Sequence, residues 1–209
     1  VKLKNSPAEL VRHEAHIRTR IVQPICDKLS SSHPALAVSN VYLNGSTSNQ
    51  TKIDTPNELD YVLPMVHSDH VQMKQHCDID WEVIDCRIHP SQHQRLSQYP
   101  GLLDSKGFLE PYSFIQKYLP QIVNESLLEL HSEGSLVYKG KIALEEEPIE
   151  SSKLKYNEVQ LDKERHVTSL CLRVGGLLCA TDIDLCFCLK KLELPYTNSR
   201  FKFYIAVAK

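Results

Sequence analysis

Two apolar, β-rich runs, His166 to Val174 and Leu177 to Leu189, are separated only by Gly175-Gly176. So short a link between two strand-like runs predicts an antiparallel hairpin. A lone hairpin is marginal in water, so the remaining strand and helix signals are read as its partners. With 209 residues, 42% of them apolar and 24% charged, the chain can bury one sizeable core, as one domain or one lobe of a bilobal enzyme.

Upstream, Ser6-Pro7-Ala8-Glu9 pairs an N-cap serine with a proline at the first helical position and a glutamate three residues after the cap, the signature of a helix start. Leu10, Ile17, Ile21, Ile25 and Leu29 give that helix an apolar stripe, Pro24 predicts a bend, and Ser30-Ser31-Ser32-His33-Pro34 predicts its end. Leu36 to Leu43 reads as a strand running into the Asn44-Gly45 turn, Glu58 to Met65 as a second strand and Trp81 to Ile88 as a third. Pro111 to Leu130 is helical in pattern, interrupted by Pro120. Glu145 to Asp162 is acidic and polar and reads as an exposed, mobile connection. The expected fold class is α+β.

The seven cysteines are odd in number and lack a C-x-x-C pair, so reduced thiols are expected. His76-Cys77, Cys86 and His89 lie close together in sequence, but four zinc ligands at a known spacing are not there. A net charge of −2 excludes a whole-chain electrostatic footprint for nucleic acid, and the basic residues near both ends read as solvated faces. Without a signal-peptide pattern or an apolar run of spanning length, a soluble cytoplasmic protein with no membrane association is expected.

The chemistry concentrates at Asn44-Gly45-Ser46, at the end of one strand, and Glu58-Leu59-Asp60, at the start of the next. Side chains at i and i+2 of a strand share a face, so Glu58 and Asp60 present two carboxylates together, a hard oxygen site suited to magnesium or manganese. A further carboxylate from a neighbouring strand is needed to bridge two ions. Glycine allows close backbone approach to phosphates, which the following amides and the Ser46 hydroxyl can hold. Asp78-Ile79-Asp80 repeats the D-x-D pattern without a Gly-Ser turn upstream and is read as a strand start in solvent.

The run Gly45-Ser46, four residues, then Thr51-Lys52-Ile53-Asp54-Thr55-Pro56-Asn57-Glu58-Leu59-Asp60 resembles the G-S and K-I-x-x-P-N-E-F-D motif of the cyclic GMP-AMP synthase (cGAS)-like receptors of the Mab family, with Leu59 in place of the usual phenylalanine. The resemblance extends to the capped first helix, a long spine in that family, and to His166-Val167-Thr168-Ser169-Leu170, similar to the strand that precedes the third acid. It implies a polymerase-β-like nucleotidyltransferase core, a mixed twisted sheet flanked by helices, with residues 1–209 as the catalytic lobe. The C-terminal helical lobe of the family is expected to begin about where this chain stops. Asn44, Gly45 and Ser46 are implied nucleotide-binding residues, and Glu58, Asp60 and a third aspartate the catalytic metal ligands. The family's alternation around that aspartate fits Asp184 better than Asp182, which is kept in reserve. The implied activity is magnesium- or manganese-dependent synthesis of a cyclic dinucleotide from two nucleoside triphosphates, ATP and GTP, in innate immune sensing of double-stranded RNA or DNA. A non-catalytic Mab-family scaffold and a linear oligonucleotide synthase are the alternatives.

Overall fold

The computed structural model describes residues 6–44, 56–78, 81–164, 169–191 and 203–206. The first described element is a helix in three parts: α1 (Pro7–Ile17), a π turn (Arg18–Val22) and α2 (Gln23–Ser32). At its start the Ser6 hydroxyl accepts from the Glu9 amide at 3.3 Å while the Ser6 amide donates to Glu9 Oε2 at 2.7 Å, so the expected capping box is present.

Pro24 stands two residues after the π turn. A proline inside an α-helix lacks a donor and crowds the carbonyl four residues back. Here the preceding amide, of Gln23, bonds five residues back to the Arg18 carbonyl, and the widened turn makes room for the ring. The same turn serves the apolar stripe. Residues spaced by four drift around a helix of 3.6 residues per turn, and a wider turn takes up part of that drift. Ile17, Ile21, Ile25 and Leu29 are accordingly all fully buried. The device recurs after the single helical turn α3 (His93–Leu96): a π turn at Ser113–Tyr118, in which the Leu119 amide bonds to the Phe114 carbonyl, precedes Pro120 in α4 (Leu119–Ser132). Neither proline ends its helix, because the backbone accommodates the ring one turn earlier.

Among the described residues seven strands form a mixed sheet: β1 (Tyr42–Asn44), β2 (Glu58–Pro64), β5 (Val137–Ile142), β6 (Glu158–Asp162), β7 (Leu170–Gly175), β8 (Ala180–Lys191) and β9 (Phe203–Ala206). Their order is β1-β2-β8-β7-β6-β5, with β9 also paired to β8. Pairing is parallel for β2 with β8 and for β5 with β6, and antiparallel elsewhere. The antiparallel pair β3 (Val71–Asp78) and β4 (Trp81–Ile88) forms a separate sheet. Alternate residues Leu59, Tyr61 and Leu63 of β2, Ile183, Leu185 and Phe187 of β8, and Leu172 and Val174 of β7 join the helix stripe and Phe114, Val123 and Leu127 in one core. The protein is thus α+β, a mixed sheet with helices that include a long N-terminal one.

Several sequence expectations change. The strand expected over Leu36 to Leu43 is a 3-10 turn at Pro34–Leu36, a lone bridge from Val38 to Met65, and a strand only from Tyr42. The Glu145 to Asp162 connection ends in the core strand β6, where Val159 is fully buried and Leu161 nearly so. Its charged and polar positions masked the alternation. Asp78 closes β3 where a strand start was expected, and Ile79 and Asp80 lie outside the described residues. Among the described residues no helix is long and apolar enough to cross a membrane.

The hairpin β7–β8 forms, but Gly175 pairs with Ala180 within it and residues 176–179 make the link, so the strand expected from Leu177 begins only at Ala180; both glycines are required by contact. A Cβ on Gly175 would collide with the Lys155 carbonyl, beside which the Asn157 amide donates to the Gly175 carbonyl at 3.0 Å. A Cβ on Gly176 would collide with the His13 ring. Gly175→Ala should cost about 2 kcal/mol or more, since the obstacle is backbone that cannot rotate away. Gly134→Ala, where φ is +73° but space is open, should cost only about 1 kcal/mol. Urea denaturation of the two variants measures this, and equal losses would show that contact at Gly175 is not the constraint.

Candidate functional site

On β2 the sequence Glu58-Leu59-Asp60-Tyr61-Val62-Leu63 alternates, and its odd members enter the core. Glu58 and Asp60 therefore lie on the opposite face, Glu58 exposed and Asp60 half-buried. Parallel pairing places Glu58 beside Asp182 and Asp60 beside Asp184, and β1 ends with Asn44 in register with Asp60 on the other side. Backbones of neighbouring strands lie about 4.8 Å apart. Asn44, Asp60 and Asp184 thus form one row across three strands, with Glu58 and Asp182 in the adjacent row. Because β2 and β8 are parallel, both acid pairs fall near the strand beginnings, at one edge of the sheet.

The two aspartates of β8 have different partners. Arg173, on β7 and only 2% exposed, donates from Nε and Nη2 to the two oxygens of Asp182 at 2.6 and 2.9 Å, and from Nη1 to the Glu147 carbonyl at 2.7 Å. A buried guanidinium needs its counterion, so Asp182 is committed to holding it. Asp184 instead accepts from the Cys171 thiol, Sγ to Oδ1 2.8 Å. Burial, with the Asp184 and Asp60 carboxylates next, pushes the Cys186 thiol up to about 11. Both carboxylates therefore act on the same thiol.

A second network fixes the approach to this edge. The Leu178 amide donates to Nδ1 of the fully buried His13 at 3.1 Å, which leaves Nε2 to carry the proton and donate to Thr181 Oγ1 at 2.9 Å. Thr181 Oγ1 in turn donates to the Pro56 carbonyl at 2.8 Å, and the Asp182 amide donates to the Asn57 carbonyl at 2.9 Å. Helix α1, the β7–β8 turn and the residues leading into Glu58 are so tied together. Burial lowers the His13 pKa to about 4, with the nearby His16 ring adding to the fall and the Pro56 carbonyl opposing it.

Glu58, Asp60, Asp184 and Asn44 are thus brought to one face and one edge, whereas Gly45 and Ser46 lie outside the described residues. Among the described residues no group of three or more His, Cys, Asp or Glu side chains is gathered tightly enough to hold a metal ion. Of the thiols considered with zinc, Cys86 is in no disulfide, nor are Cys26, Cys171, Cys179, Cys186 and Cys188. Sequence reasoning missed the Arg173–Asp182 pair, for which an arginine inside an otherwise apolar strand was the available signal. It also missed Cys171 and the His13–Thr181 link, which no spacing announces.

No family model matches the chain, and a search of curated proteins finds no similar one.

The two β8 aspartates should separate by stability. Asp182→Asn should lower it by roughly 2–3 kcal/mol, since Arg173 stays buried beside a neutral partner. Asp184→Asn, whose amide oxygen still accepts from Cys171, should change it by less than about 0.5 kcal/mol. Denaturation at neutral pH measures both, and equal losses would contradict the assignment of Asp182 to Arg173.

His13 gives the folded state a pH dependence of definite sign. The unfolded chain takes up a proton at the ordinary value of 6.5 while the folded one resists until about 4, so stability contributed above pH 6.5 is lost as pH falls toward 4. Between pH 7 and pH 5 the stability advantage of wild type over His13→Gln should shrink by about 2 kcal/mol. Urea midpoints at the two values test this, and a constant difference would refute it.

Proposed function

We propose that the chain is the catalytic lobe of a metal-dependent nucleotidyltransferase of the cGAS-like kind, joining two nucleoside triphosphates into a cyclic dinucleotide. The observation that carries the reading is the register of β2 against β8, which sets Asp60 beside Asp184 with Glu58 one pleat away on the same face. The mixed sheet with its long N-terminal helix is compatible with a polymerase-β-like core. Commitment of Asp182 to Arg173 favours Asp184 as the third carboxylate.

Magnesium and manganese are hard ions that take oxygen donors, and Glu58, Asp60 and Asp184 fit them by donor chemistry. Magnesium dehydrates reluctantly and prefers to share its site with substrate phosphates. When bound, such ions activate a ribose hydroxyl and neutralise charge on the leaving pyrophosphate. The chain's own part is positional: a rigid sheet edge keeps the three carboxylates in register, and Asn44 leads into Gly45 and Ser46, which in this reading hold the phosphates. ATP and GTP are the proposed substrates, double-stranded RNA or DNA the proposed activator, and cytoplasmic immune sensing the proposed setting.

Incubating the protein with all four nucleoside triphosphates, magnesium or manganese, and either duplex, then identifying products by mass, tests the proposal. Glu58→Gln, Asp60→Asn and Asp184→Asn should each reduce product at least about 100-fold while the denaturation curves of the proteins remain cooperative. A linear product would move the protein to the oligonucleotide synthases. No product under any condition, or full activity in the three variants, would overturn the reading in favour of a binding scaffold.

A further inference from the structure

The first part of α1 is docked on the sheet by histidines. Ahead of Ile17 this helix buries only His13 and His16, whereas from Ile17 to Leu29 the long helix buries an apolar stripe. His13 is fully enclosed, and a Cβ on Gly176 would overlap its ring. Its two nitrogens work in opposite senses: Nδ1 accepts from the Leu178 amide at 3.1 Å, and Nε2 donates to Thr181 Oγ1 at 2.9 Å. Only the neutral ring does both, because a proton on Nδ1 removes the lone pair and sets one N–H against another. His16, one turn on, stacks on Tyr156 with ring centroids 4.5 Å apart and Nδ1 3.3 Å from the tyrosine hydroxyl.

The charges that act on the two rings are cationic, His16 on His13 and Arg20 on His16. The groups around them are committed elsewhere. On α1, Glu9 is held by Ser6 in the capping box, Arg12 donates to the Ala8 carbonyl, and Glu14 feels Arg18. On the facing elements, Asp182 is held by Arg173, Lys155 acts on Glu158, Glu58 is exposed on the other face of β2, and Cys179 has its Sγ 3.8 Å from Thr181 Oγ1. Burial lowers both histidine pKa values, that of His13 to about 4, so docking that is complete above the ordinary 6.5 weakens as pH falls. We propose that Pro7–His16 is an acid-released arm: two neutral histidines hold it to the β7–β8 turn and to Tyr156, and protons on them free it while the sheet stays folded. The core does not depend on the arm, since its apolar residues begin at Ile17. Release removes the donor that orients Thr181, whose hydroxyl holds the Pro56 carbonyl ahead of Glu58, so the state of the arm reaches the carboxylate end of the sheet.

Amide hydrogen exchange of the whole chain, read residue by residue by NMR at pH 7 and pH 5 and corrected for intrinsic rates, tests this. In wild type the amides of Leu178 and of Val11 to Ala15 should be at least about tenfold less protected than those of Leu185 and Phe187 in the middle of β8, because the arm opens without the sheet. Their protection should fall by about 20-fold or more between the two pH values. With His13→Gln and His16→Gln together, whose side-chain amides donate and accept at either pH, that fall should shrink to less than about threefold. Protection of Leu178 and the arm equal to that of Leu185 and Phe187 at both pH values would overturn the inference, since the arm would then open only with the whole fold. Wild-type protection that does not fall toward pH 5 would also overturn it, whether or not the double variant folds. A fall that persists undiminished in a folded double variant would do the same, by assigning the protons to other groups.

Discussion

Two parallel strands cannot be joined by a tight turn, so the hydrogen bonds between β2 and β8 have to be made by segments far apart in the chain. Every other feature of the site depends on that pairing. It runs without a break from Glu58 beside Asp182 to Pro64 beside Cys188, and side chains alternate strictly along both strands. A slip of one residue would turn Asp60 toward the helices and Leu59 toward solvent. The register is protected by what lies beneath it: Leu59, Tyr61, Leu63, Ile183, Leu185 and Phe187 would all leave the core together. The energy that places the carboxylates is therefore hydrophobic, supplied on the face where they are not.

The end of the sheet at which those carboxylates lie is held by polar contacts that reach across the chain. His13 sits on α1, yet its ring fills the space above Gly176 and hydrogen-bonds both the β7–β8 turn and Thr181. Thr181 then grips the carbonyl of Pro56, two residues before Glu58. A neutral imidazole is needed for this, since one nitrogen must accept while the other donates. The helix thus orients the start of β2 through three hydrogen bonds, whereas apolar packing alone would fix its distance but not its direction.

Charge on the open face is divided by the neighbours that β7 supplies. Arg173 and Cys171 alternate along that strand and meet Asp182 and Asp184 in turn. One aspartate faces a full positive charge with bidentate geometry and becomes structural, anchoring the Glu147 carbonyl through the same guanidinium. The other faces a thiol, a weak donor that leaves the carboxylate its charge. Three consecutive residues of β8, Asp182-Ile183-Asp184, so contain one aspartate held by a buried arginine and one that accepts from a thiol.

Local rules were enough for part of this. Ser6, Pro7 and Glu9 set the helix start because a cap involves only neighbouring backbone, and Gly175-Gly176 between two apolar runs set the hairpin. The alternation in Glu58-Leu59-Asp60 put both acids on one face for the same reason. Tertiary structure decided the rest. Pro24 and Pro120 interrupt a helical pattern on paper, but packing of the flanking stripes favours a π turn over a break. Strand β6 has too few apolar residues to announce itself and exists because β7 offers it a partner. Strand alternation alone left Asp182 and Asp184 equivalent, since both share a strand and a face, and only the family resemblance favoured Asp184. Only the pairing of β7 with β8 brought Arg173 to one and Cys171 to the other, and a side chain's role follows from the charge set across from it, which no local pattern records.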